Sequence, residues 1–304
     1  MAAAGPSETL QPLPRAMGEV ADAVDRRFGA LLPVPDDARA DLYRCMRHAA
    51  IGGGKRLRPL LVAAAADLHA VDRETAIRVG TAIEAIHVYS LIHDDLPAMD
   101  DDDLRRGKPT AHKAYGEATA ILAGDCLHAL AFEWLADPDT HPDPFVRAEL
   151  VLELARASGP SGMAGGQAMD LAAGRFPFDL AAVTRLQQMK TGALIAVSVE
   201  AGAILGRVPP EGRVHLRGYA HDLGLAFQIA DDLLDAEGDE AAAGKKLRKD
   251  VEAGKATFLS LLGPDRAREQ CRMLTEQAVA HLAGYGAEAD LLRAVARYVV
   301  ERDR

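Results

Sequence analysis

Six aspartates fall within ten residues: Asp94, Asp95, Asp100, Asp101, Asp102 and Asp103. A second group, Asp231, Asp232 and Asp235, lies in the apolar segment FQIADDLLD. Residues four apart on a helix share a face, so Asp231 and Asp235 project together, with Asp232 about a third of a turn away. Like charges at that spacing repel, and burial among Phe227, Ile229, Leu233 and Leu234 would raise the cost. An acidic helix end solvated by water is the ordinary explanation of such a run, and the apolar neighbours weaken it. Asp94 and Asp95 are odder. Pro97 disfavours continuation of the helix before it and leaves both in its last turn, where carboxylates oppose the helix dipole unless a cation is present. Hard divalent ions fit these donors. Mg²⁺ suits best, because it takes carboxylate oxygens plus waters and leaves positions for phosphate. Calcium in an EF-hand fails, since neither cluster has the D-x-[DN]-x-[DN]-G spacing with Glu at position twelve.

Basic residues flank both clusters. GGGKRLRP (52–59) sets Lys55, Arg56 and Arg58 in and after a glycine loop. A Walker-A loop needs GxxxxGK[ST], but Ala49 holds the first glycine position and Arg56 follows the lysine, so a nucleotide site is a poor fit. Glycines beside Lys and Arg still suit a diphosphate, through backbone N–H groups and bidentate guanidinium. Arg105, Arg106 and Lys108 follow the first cluster, KTG (190–192) adds a lysine beside a hydroxyl, and GKKLRKDVEAGKATF (244–258) follows the second. Singly, each is most simply a solvated surface group; beside two acidic clusters, together, they are harder to dismiss.

The elements that must position these residues read as helices. Of 304 residues 49% are apolar and only 5% aromatic, which excludes disorder and argues against a β-sandwich or barrel. The formal net charge of −10 disfavours nucleic acid as a partner. Cys45, Cys126 and Cys271 form no paired motif and read as apolar fillers in a reducing cytosol. No secretory signal or uninterrupted membrane segment is visible, so a cytoplasmic protein without stable membrane insertion is expected. Residues 1–14 read as a flexible leader and 15–304 as a single all-α domain. Apolar spacing of three and four predicts helices over about 15–30, 37–50, 59–69, 73–96, 112–136, 145–158, 179–206, 212–236, 265–284 and 287–302, and no strands.

In order along nearly the whole chain stand GGGKRLRP, SLIHDDLPAMDDDDLRRGKPTAH, LAGD (122–125), GGQAMDL (165–171), KTG and FQIADDLLD. This succession resembles the trans-isoprenyl diphosphate synthase (polyprenyl synthetase) family, and within it the bacterial members that form farnesyl diphosphate. The four residues between Asp95 and Asp100 match the longer bacterial version of the first motif. The resemblance implies an isoprenoid-synthase helical bundle, usually a homodimer, whose two Asp-rich motifs face each other across a deep cavity. It implies that Asp94, Asp95, Asp100, Asp231 and Asp235 hold several Mg²⁺ ions, with Mn²⁺ a possible substitute. It assigns Arg105, Lys190, Thr191, Gln228, Lys245 and Lys255 to the allylic diphosphate, and Gly54, Lys55, Arg58, His87 and Arg106 to isopentenyl diphosphate. Lys190, Thr191 and Gln228 are the implied catalytic groups, the last two placing oxygen atoms near a developing cation.

The implied reaction is ionisation, condensation and elimination. Dimethylallyl or geranyl diphosphate loses diphosphate, the alkene of isopentenyl diphosphate attacks the allylic cation, and a proton leaves to the departing diphosphate. Clamping that anion stabilises charge that grows in the transition state, and a dry pocket protects the cation. In the family a bulky residue about a turn before the first aspartate limits growth, and Tyr89 with Ser90 gives the pattern of C15 synthases. Geranyl or geranylgeranyl diphosphate is the alternative product. A non-catalytic partner subunit fits less well because both clusters are intact, and QIADDLLD argues against a class I terpene cyclase. Arg248 stands where the family usually has Gly in its GKxxGKD loop, which leaves open whether Lys245 or Lys246 turns inward. An HD-type phosphohydrolase, suggested by His93–Asp94, fits the remaining residues poorly.

Overall fold

The computed structural model describes residues 12–173, 176–237 and 256–301. Apolar spacing of three and four turns these residues into α1 (Pro12–Leu31), α2 (Ala40–Ala50), α3 (Leu57–Asp67) and α4 (Arg73–Asp94). After a short hairpin come α5 (Ala111–Tyr115), α6 (Glu117–Ala136), α7 (Pro144–Ser158), α8 (Met163–Ala172) and α9 (Leu180–Gln187). The chain ends in α10 (Ala193–Leu205), α11 (Val214–Glu237), α12 (Phe258–Leu262), α13 (Pro264–His281) and α14 (Asp290–Glu301). Helices α3 and α10 are apolar on nearly every face, and α10 carries no charge but Glu200; both therefore lie inside the bundle. Around them pack α4, α7 and α11, α6 packs on α4, and α13 closes the far side of α11.

Several sequence boundaries move. Helix α1 takes in Pro12, and Leu13 is buried, so residues 12–14, read from sequence as leader, are helical. Gly116, at φ 85°, breaks the predicted 112–136 helix into α5 and α6. Helices α8 and α12 were not expected at all. The strands β1 (Leu104–Arg105) and β2 (Lys108–Pro109) pair antiparallel across a two-residue turn, Arg106–Gly107, with both φ values positive. The predicted 179–206 helix contains a π-turn, Gln188–Gly192, between α9 and α10. Such turns are rare and gather at functional sites.

One helix, α6, is long and apolar enough by composition to cross a bilayer, although Asp125 and Glu133 interrupt it. One face of α6 packs on α4, and Ile121 and Leu122 face outward at 44% and 54% exposure.

Candidate active site

Helix α4 is started by Asp72, whose carboxylate accepts the Thr75 N–H at 3.0 Å. It stops at Asp94, and the chain curls back over its end. The Asp100 N–H donates to the Asp94 carbonyl at 2.8 Å, and the Asp102 N–H to the Asp95 carbonyl at 3.3 Å. The loop thus satisfies two orphan helix carbonyls while setting Asp100 beside Asp94. Burial, opposed by Lys190 and reinforced by Asp100, pushes the Asp94 carboxyl up to about 6.

Asp95 does not join them. One residue on, its side chain is rotated about a third of a turn and meets Arg105, whose Nε lies 2.8 and 2.9 Å from its two oxygens and whose Nη2 lies 2.5 Å from Oδ1. At 3% exposure the carboxylate is buried behind the cavity wall. Asp95, which the resemblance assigns to a metal, is thus paired with Arg105, which the resemblance assigns to the allylic diphosphate.

A cavity of about 360 Å³ opens beside Asp94. Arg58, His87, Tyr89, Ser90, Asp94, Lys190 and Thr191 all line it, so residues spread over more than 130 positions meet on one wall. Burial, then the charges of Arg58, Arg106, Arg105 and Arg56, hold His87 well below its usual range, so its ring is neutral at pH 7. Burial also lowers Arg58, with Glu84 and Asp231 working the other way; the charge of Asp231 on α11 is thus felt at the start of α3. The Tyr89 ring stands edge-on to His93 and to His128 of α6, at 5.7 and 5.0 Å between centroids. The Ser90 hydroxyl is turned back to the His87 carbonyl.

The glycine loop before α3 is fixed by Arg56. Its buried guanidinium bonds Asp25 at 2.7 Å, Glu84 at 3.0 Å and the Ala50 carbonyl. Arg56 is thus structural, and Gly52 gives its N–H to Asp25 rather than to a ligand. Gly54 is required by a neighbour: a Cβ there would lie 2.6 Å from the Arg106 guanidinium. The Lys55 ammonium sits over the Tyr298 ring of α14 at 5.7 Å.

The π-turn presents Lys190 and Thr191. Gly166 of α8 lies against the Lys190 backbone so closely that any Cβ would overlap it. The Lys190 ammonium is held by Asp170 at 2.8 Å. Neither Asp170 nor Gly166 was singled out from sequence, although GGQAMDL contains both; the signal was the motif's place in the order. Thr191 bonds Gln228 at 3.1 Å, which ties the turn to the second acidic cluster. There Asp232 turns away from the Asp231 and Asp235 face, accepting from Gln228 Nε2 at 3.1 Å and from the Phe258 N–H at 2.9 Å. Lys245, Lys246, Lys255 and the tail 302–304 lie outside the described residues.

The donor set fits Mg²⁺. Asp94, Asp100, Asp231 and Asp235 offer oxygen only, and burial, with Asp100 adding to it against Lys190, disfavours the Asp94 charge in the absence of a cation. Among the described residues no three His, Cys, Asp or Glu side chains converge on one point. Ions that keep waters and share phosphate oxygens do not require such convergence.

The sequence profile of the family described as polyprenyl synthetase matches residues 39–295. The chain is 45% identical to farnesyl diphosphate synthase of Escherichia coli (strain K12), over 91% of this chain and 94% of that one. It is 42% identical to a chloroplastic geranylgeranyl pyrophosphate synthase of Arabidopsis thaliana, over 88% of this chain and 77% of that one. The apo crystal structure of an FPP/GFPP synthase from Zymomonas mobilis superposes with a TM-score of 0.87 at 58% identity, covering 95% of this chain and 99% of that one.

Proposed function

The chain belongs to the polyprenyl synthetase family, and on that premise we propose that it condenses isopentenyl diphosphate with dimethylallyl and then geranyl diphosphate to make farnesyl diphosphate. The observation that carries this reading is the single cavity in which Arg58 and His87 face Asp94, Lys190 and Thr191. Arg58 and Lys190 give that cavity cationic groups that suit a diphosphate, and Tyr89, Met99, Met163 and Leu171 give it surface that suits a hydrocarbon tail.

Asp94, Asp100, Asp231 and Asp235 would hold Mg²⁺, which when bound neutralises diphosphate oxygens and helps that group leave. Lys190, held by Asp170, and the loop lysines Lys245 and Lys255 bind the allylic diphosphate. Asp95 serves by orienting Arg105. Lys55, Arg58 and Arg106, with Gly54 allowing Arg106 close, bind isopentenyl diphosphate, and neutral His87 contributes a ring N–H. Thr191, whose hydroxyl donates to Gln228, directs its oxygen at the carbon that becomes cationic, and Gln228 supports it from behind. The leaving diphosphate accepts the proton lost after the new C–C bond forms. Tyr89 and Ser90 set where the growing chain stops. We place the enzyme in the cytoplasm as a homodimer, in which the outward stripe of α6 that includes Ala118, Ile121, Leu122 and Ala129 meets its copy.

Incubation with isopentenyl and dimethylallyl diphosphates plus Mg²⁺, read by mass spectrometry, tests this. Farnesyl diphosphate as the main product, lost in EDTA, is expected, and no condensation at all would refute it. A C20 or longer product would favour a second reading, geranylgeranyl diphosphate synthesis or beyond; the Zymomonas relative, described as an FPP/GFPP synthase, and the geranylgeranyl pyrophosphate synthase of Arabidopsis support that reading.

A further inference from the structure

Asp232 lies in the middle of the acidic run yet faces away from the cavity, 7% exposed. Its contacts form a chain with a direction. The Phe258 N–H, at the start of α12, donates to Asp232 Oδ2 at 2.9 Å, while Oδ1 accepts from Gln228 Nε2 at 3.1 Å. Gln228 Oε1 then accepts from the Thr191 hydroxyl at 3.1 Å. A carboxylate can only accept, so the amide nitrogen of Gln228 must face it and the amide oxygen must face Thr191. Thr191 then has no choice but to donate. A hydroxyl has one proton and two lone pairs; with the proton spent on Gln228, the lone pairs are left for the cavity that Thr191 lines.

We infer that Asp232 is a positioning residue: its charge sets the direction of this hydrogen-bond chain and thereby turns the Thr191 oxygen, not its proton, toward the reacting carbon. The inference rests on the prenyl-transfer reading, in which a carbocation develops beside Thr191. A proton pointed at that carbon would repel it; an oxygen stabilises it.

Asp232→Asn tests the direction without changing shape. The Phe258 N–H still needs an acceptor, so the Asn oxygen turns to it and the Asn NH₂ turns to Gln228. Gln228 must flip, its NH₂ then donates to Thr191, and the Thr191 proton is released toward the cavity. We expect kcat to fall about 10- to 100-fold, less than deleting a whole charge-stabilising group often costs. KM for both substrates and the Mg²⁺ dependence should stay within about twofold, within the scatter of unrelated substitutions. Adding Gln228→Glu restores an acceptor toward Thr191 and keeps the pair's total charge, so the double variant should recover most of kcat. In a Thr191→Val background, Asp232→Asn should cost nothing further.

A variant with wild-type kcat, a loss that Gln228→Glu does not recover, or a raised Mg²⁺ requirement would each overturn the inference; the last would make Asp232 a metal ligand. Should Asp232→Asn fail to fold, Gln228→Leu cuts the chain without touching the acidic cluster. It should lose kcat to the same degree, and an unchanged kcat would be equally fatal. A wild-type protein that forms no C–C bond refutes the functional reading and this inference together. An active wild type with an unaffected Asp232→Asn refutes this inference alone.

Discussion

Replacing Asp94 by Asn should make the metal-free protein more stable and inactive at once. Burial, with Asp100 and Asp95 nearby and Lys190 and Arg105 opposing, raises the Asp94 carboxyl from 3.8 to about 6. The folded state therefore holds this proton more tightly than the unfolded chain does. The associated stability is fully present below about pH 4 and is lost as pH rises through about 6. At pH 7.5 the ionised carboxylate costs about 2 units at 1.36 kcal/mol each, or about 3 kcal/mol. Solvent reaching the cavity screens part of this, leaving about 1–2 kcal/mol. Asparagine has the same shape and no charge, so the variant should gain that amount, a rise in Tm of about 3–6 °C for a domain of this size. Thermal unfolding by circular dichroism in EDTA measures it, with the gap between variant and wild type at pH 5 about half that at pH 7.5. An Asn variant no more stable than wild type at pH 7.5, or a gap that does not shrink on acidification, would refute the account of Asp94 as an uncompensated carboxylate. Condensation activity should fall by about 100-fold or more, because one charge-stabilising group of this kind is commonly worth that much.

Four further outcomes follow from contacts around the cavity. Tyr89→Ala should lengthen the product beyond C15, since its ring closes the cavity against His93 and His128; an unchanged product by mass spectrometry would remove Tyr89 as the stop. Gly54→Ala puts a methyl 2.6 Å from the Arg106 guanidinium, and steady-state kinetics should show KM for isopentenyl diphosphate up about tenfold, equivalent to about 1.4 kcal/mol, with the allylic KM unmoved. Asp170→Asn frees the Lys190 ammonium from its 2.8 Å ion pair and should lower kcat by about tenfold, as losing one oriented charge does; equal kcat would show that Lys190 needs no such support. Leu122→Asp on the outward face of α6, which is 54% exposed in the single chain, should halve the mass seen by light scattering if that face joins two copies, while a wild-type monomer would exclude the homodimer.

Most of the fold was legible because long helices announce themselves by apolar spacing, and α1, α4, α7 and α11 fall within a few residues of their expected spans. The breaks were less so. Gly116 ends α5 through a positive φ that a single glycine in a helical pattern does not advertise. The π-turn at 188–192 is imposed from outside, where Gly166 lets α8 press on the Lys190 backbone, and local propensity carries no trace of that. The site shows the same division. Arg58, His87, Tyr89, Ser90, Asp94, Lys190 and Thr191 were named from sequence and meet at one cavity. Asp95, Arg56 and Asp170 depend on partners 6 to 31 residues away: Arg105, then Asp25, Glu84 and Ala50, then Lys190. Spacing along the chain says which residues share a face, but not which long-range partner has already claimed a side chain.

The same distinction resolves the two acidic clusters. Read as charge, Asp94 and Asp95 are equivalent, as are Asp231 and Asp232. Helical geometry rotates the members of each pair about 100° apart, so only one of each can face the substrate. The inward member, Asp94, is left short of counter-charge, which is what a hard cation and a diphosphate would exploit. The outward members, Asp95 and Asp232, are each bonded to protein, Asp95 to Arg105 and Asp232 to Gln228. On the proposed reading the doubled aspartate would combine two jobs, a ligand and its brace, in consecutive residues. A net charge of −10 discourages phosphate only if all carboxylates are counted alike. On the proposed reading, cations on the inward carboxylates would reverse the local sign, so the charge total does not predict what binds there.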